Sequence, residues 1–171
     1  MQPGIFETLM GIAELAVALA GFSGVVVVFG SRDAGRWHPG DRLRLVFLIE
    51  SSLTAGGFAL LALLLLYFFP DTPSTAWIIV SSLWSIFMLW SLYHSHNRIR
   101  LNLKTHDDID QVTNRIVTII FSTLIVVQIA NALLWGEFAP LLAALSFNLA
   151  GAAMQFARLI KSAFHGNSPA E

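Results

Sequence analysis

The chain contains no cysteine. That removes disulfide frameworks, thiolate zinc sites, c-type haem attachment and Cys-linked lipid anchors from consideration. Charge is also scarce: Asp, Glu, Lys and Arg make up 12% of the residues, against about 25% in a soluble domain. Such a chain lacks the polar side chains to cover itself in water. The net charge is −1, and no basic patch stands out, so nucleic acid is not an expected partner. There is no Asn-x-Ser/Thr sequon. No Lys or Arg precedes the first apolar run, "MQPGIFETLMGIAELAV". A secretory signal peptide needs a basic start, so this segment is expected to be a retained helix.

What is abundant is apolar. Hydrophobic residues make up 56% of the 171, and the mean hydropathy is +0.68. A bilayer is the expected solvent. Five segments reach the roughly 20 apolar residues that a spanning helix needs: about 5–30, 44–69, 74–96, 114–135 and 138–160. Breaks fall at "SRDAGRWHPGDR", "PDTPS", "NRIRLNLKTHDDIDQVT" and "GEFAP". The alternation of a β-barrel is absent. The expected fold is all-α, a five-helix membrane bundle forming one domain over 1–164 with a disordered tail at 165–171.

Charge placement predicts a direction. Arg32, Arg36, Arg42, Arg44, Arg98, Arg100, Lys104, Arg115, Arg158 and Lys161 are all 10 basic residues, and five spans put them on one side. The other side carries only the acids Glu7, Asp71 and Glu137. The positive-inside rule then places the N-terminus outside and the C-terminus in the cytoplasm. Trp77 and Trp135 fall near the outer boundary and Trp37 near the inner one, as aromatic belts do. Short loops and absent sequons are compatible with a bacterial inner membrane. The long cytoplasmic stretch 97–113 is expected to extend spans three and four around a turn, with Thr105 and Asp108 as a capping pair.

Polar and small residues recur at helical spacing. Glu7, Gly11, Glu14, Ala18 and Gly21 form one stripe on span one. Glu50, Thr54 and Gly57 share a face of span two, and Asn148, Gly151, Ala152 and Gln155 a face of span five. Span three offers Ser81 and Ser85, and span four Gln128 and Asn131. The economical packing turns these stripes inward, with Gly11, Ala18, Gly21, Gly57 and Gly151 as the close-packing positions. Glu14 lies roughly 13 Å along its span. No basic residue of the chain shares that depth. Glu14 is therefore protonated, hydrated or next to a cation from outside the chain. An intramembrane acid is by default a functional candidate. The plainer alternative is a neutral Glu hydrogen-bonded to Gln128 or Asn131.

Enzyme signatures are missing: no HExxH, GxSxG, P-loop or multiple-histidine box. "HDDID" (106–110) resembles one Asp-rich, Mg²⁺-diphosphate motif of membrane prenyltransferases. Those enzymes use two such segments, and here there is no second. His94 and His96 point nearly opposite ways on a helix. His106 with Asp107 and Asp110 has the chemistry of a weak metal site, but a helix cap and solvated loop explain it as well. No cofactor, metal or catalytic residue is implied. The expected function is a small transport protein, a homo-oligomeric cation channel or proton-linked carrier. Its pathway candidates are Glu14, Glu7, Glu50, Gln128, Asn131 and Asn148. The alternative is an accessory or assembly subunit of a larger membrane complex, with the polar faces used for packing.

Overall fold

Prolines mark where the helices begin. In the computed structural model α1 spans Pro3–Ala34, α2 Pro39–Phe68, α3 Pro73–Leu103, α4 Gln111–Ala130 and α5 Phe138–His165. Three of the five open on proline. The N–H that proline lacks falls among the first four of a helix, which have no partner within it, so nothing is lost. Pro140 sits in the first turn of α5 on the same terms. The structure describes the backbone at 3–34, 39–103 and 111–165, and the side chains at 4–25, 42–94 and 115–161. Arg32, Arg36, Trp37, His96, Arg98, Arg100 and the Thr105–Asp108 cap with His106, Asp107 and Asp110 lie outside the described side chains, as do Lys104 and the tail.

Among the described residues there are five helices and no strand. All five are long and apolar enough to cross a membrane, over Gly4–Val25, Arg42–Phe68, Pro73–His94, Arg115–Trp135 and Phe138–Lys161. At 1.5 Å per residue, a span of 22 residues reaches about 33 Å, slightly more than the hydrocarbon thickness. In an 18-residue apolar stretch of each span, only 22–39% is buried by the chain itself. The uncovered remainder includes Leu15, Val17, Leu60, Leu64, Ile86 and Leu133. In water that surface would be untenable; in lipid it is the surface the solvent requires.

The chain divides into two compact units. The first holds α1, α2 as far as Leu63 and α5 from Leu145. Its α1 core face is Leu9, Ile12, Ala13 and Ala16. A Cβ on Gly56 of α2 would come within 3.0 Å of the Ala16 Cβ. Small residues on both helices let the backbones meet closely, which is where helix association in lipid gains its van der Waals contact. Phe22 of α1 and Phe156 of α5 pair with ring centroids 6.0 Å apart.

The second unit runs from Leu64 to Ala144. Its α2–α3 turn is closed by Phe69 N–H on the Leu65 carbonyl at 2.8 Å and Thr75 N–H on the Thr72 carbonyl at 3.0 Å. Trp77 of α3 packs on Phe138 of α5, centroids 5.1 Å apart. After Ala130 the α4 helix widens into a π-helical turn, Asn131–Trp135. It stops at Gly136, whose φ of 61° is left-handed and whose N–H donates to the Asn131 carbonyl at 2.8 Å. A Cβ at Gly136 would also stand 3.3 Å from Ile78 Cγ1 of α3. Gly136→Ala is therefore expected to cost about 1–2 kcal/mol for the left-handed backbone, with the crowding against Ile78 added. Equilibrium unfolding in bicelles reads this as a lowered midpoint; an unchanged midpoint would mean that the turn relaxes freely.

Candidate functional site

The stripe on α1 faces away from the core of its own chain. At 100° per residue, Glu7, Gly11, Glu14, Ala18 and Gly21 lie opposite Leu9, Ile12, Ala13 and Ala16. The second set is buried. Glu7, Glu14, Ala18 and Gly21 are exposed and Gly11 is half-buried. This differs from the inward packing that economy suggested. The physical reason is that the opposite face of α1 also carries small residues, Ala13 and Ala16, and Ala16 meets Gly56 there. Turning Glu14 inward would desolvate a carboxyl with no basic group to meet it. Among the described residues none hydrogen-bonds to Glu14 or forms an ion pair with it.

The predicted close-packing glycines share this openness. A Cβ added at Gly11, Gly21, Gly57 or Gly151 meets nothing within 4 Å. The packing of the chain against itself does not require them. It does require Gly56, whose role no spacing argument separated from that of Gly57. Glu50 is exposed on α2, and its backbone carbonyl accepts from Thr54 Oγ1 at 2.7 Å.

The amides behave differently. Gln128, Asn131 and Asn148 are buried. Asn131 Nδ2 donates to Ser81 Oγ of α3 and to the Glu137 carbonyl, both at 2.9 Å. Its Oδ1 accepts from the Glu137 N–H at 2.9 Å. Gln128 Nε2 donates to the Pro140 carbonyl at 2.6 Å. Ser85 Oγ donates to the Ser81 carbonyl at 2.7 Å. The two α4 amides thus clamp the start of α5 to α4, and Asn131 ties that turn to α3. Gly136, Glu137 and Pro140 take part through their backbones. A Gly just after an apolar run signals a helix end, but nothing in the sequence marks the π turn.

Several buried polar atoms have no hydrogen-bond partner: Trp84 Nε1 and Gln128 Oε1 in the second unit, and Ser52 Oγ, Asn148 Nδ2 and Gln155 Oε1 in the first. Among the described residues no three His, Asp or Glu side chains gather as a metal site would need. His94 is exposed and lies flat on Trp90, centroids 5.7 Å apart and planes 6° from parallel.

No known family model, curated protein or solved structure matches this chain. The site must be judged on its own residues.

Proposed function

We propose that the protein works as an assembly of copies in a membrane and passes a cation or a proton along Glu14 where copies meet. The observation that carries this is the position of Glu14: exposed, without a partner among the described residues, on a face of small residues. An acid exposed within a span is too costly to leave against lipid. A neighbouring copy would cover it, and the open glycines would let that copy approach. Glu7, two turns nearer the entry, attracts cations toward it. Glu50 serves as a second acidic station. Asn131 and Gln128 support the reading indirectly, because their bonds to the α4–α5 turn leave the acids of α1 and α2 to carry the conduction. The charge distribution favours an outer N-terminus and a cytoplasmic C-terminus, with the permeant ion entering on the Glu7 side. A bacterial inner membrane fits that arrangement.

Proton and alkali-cation flux into proteoliposomes, wild type beside Glu14→Gln, tests the proposal. Wild-type flux is expected, and the variant should lose it about tenfold or change its pH dependence. Tenfold corresponds to about 1.4 kcal/mol at the rate-limiting station. Equal flux and equal pH dependence in correctly inserted variant would remove Glu14 from the pathway. No flux from correctly inserted wild type would favour the accessory-subunit reading, with the α1 face docking a helix of another protein.

A further inference from the structure

Two of the unpartnered polar atoms belong to helices that pack on each other. Trp84 of α3 and Gln128 of α4 are both completely buried, and Trp84 Nε1 and Gln128 Oε1 have no hydrogen-bond partner. The two helices are antiparallel neighbours whose register is pinned by the bond from Asn131 to Ser81. Stepping three residues on from Ser81 and three back from Asn131 moves about 4.5 Å along each helix. The residues reached are Trp84 and Gln128, at one level.

The chemistry of each free valence is fixed. An indole N–H can only donate. The Gln128 amide is oriented by the Pro140 carbonyl, which needs a donor and receives Nε2; the reversed amide would set two oxygens against each other. The free end is therefore the carbonyl oxygen, an acceptor. One donor and one acceptor, shut away from solvent, each forfeit a hydrogen bond unless something supplies both. A cation would be repelled by the indole N–H, and an anion by the amide oxygen. A molecule that accepts once and donates once suits both.

We propose that a single water molecule is bound between Trp84 and Gln128, accepting from the indole N–H and donating to Gln128 Oε1. Ser85, buried on the same helix, has already committed its hydroxyl hydrogen to the Ser81 carbonyl. Its oxygen keeps lone pairs for the second hydrogen of the water. That completes the three partners, roughly, that buried waters have. This site is independent of the reading of Glu14.

Water-to-indole cross-relaxation in ¹H–¹⁵N spectra of the full chain in bicelles tests it. The chain has five tryptophans, so the Trp84 indole resonance is identified by its loss in Trp84→Phe. If that variant does not fold, replacing the other tryptophans one at a time identifies it by elimination. The expected result is a strong water cross-peak at Trp84 in the wild type, at least halved in Gln128→Leu. A wild-type Trp84 indole with no water cross-peak overturns the proposal. A cross-peak that persists undiminished in folded Gln128→Leu overturns the bridging role of Gln128.

Discussion

Asn131→Leu will lower the stability of the protein by about 2 kcal/mol, taking its three hydrogen bonds at roughly 0.6 kcal/mol each, the average for buried polar pairs in membrane proteins. Leucine has the same branching as asparagine and is larger, so no cavity opens to add to the loss. What is lost is specific. The Glu137 N–H and carbonyl lose the side chain that pairs them, and Ser81 loses a donor from α4. The loss should divide along those lines. Ser81→Ala alone is expected to cost about 0.6 kcal/mol, and the double variant Ser81→Ala, Asn131→Leu should cost less than the sum of the two singles by a similar amount. Equilibrium unfolding in bicelles measures all three. A midpoint for Asn131→Leu indistinguishable from wild type would mean that the π turn and Gly136 hold the α4–α5 hairpin without the clamp.

Gly11→Leu combined with Gly21→Leu will separate the copies of the protein while leaving each copy intact. Each glycine is on the uncovered face of α1, where an added Cβ touches nothing in the chain. Within a single copy the substitution removes a helix-interior glycine, which is worth about 0.8–1 kcal/mol in helix propensity, so stability should hold or rise. Between copies it places two isobutyl groups where a second backbone has to approach, and the close contact that drives association in lipid is lost. Subunit counting by single-molecule photobleaching in liposomes reads the outcome. Wild type should give several steps and the double variant one. If wild type gives one step, the assembly part of the proposed function fails. If both give the same larger number, the copies meet through another face. The sign contrast, a looser assembly of equally stable subunits, distinguishes an interface from a general packing defect.

Much of the fold was legible from apolar run length. The expected spans at 44–69, 74–96, 114–135 and 138–160 lie within about two residues of the spanning segments found, because a bilayer imposes its thickness on any helix that crosses it. The extension of spans three and four into 97–113 also matches, with α3 running to Leu103 and α4 beginning at Gln111. The polar residues were legible as residues but not as partners. Gln128 and Asn131 were visible as a pair on one helix face. That they clamp the α4–α5 turn depends on the Glu137 and Pro140 backbones, which carry no side-chain signal. Trp84 looked like any apolar span residue, and its orphaned N–H exists only because the fold buries it.

Sequence by itself determined that this is a membrane-spanning, all-helical chain of five segments, since hydrophobic length and charge scarcity act locally along each helix. Which face of each helix turns inward was decided only in the tertiary structure. On α1 two faces carry small residues, and composition along one helix cannot rank them. The choice follows from what stands opposite: Gly56 accepts Ala16, and among the described residues no basic side chain pairs with Glu14.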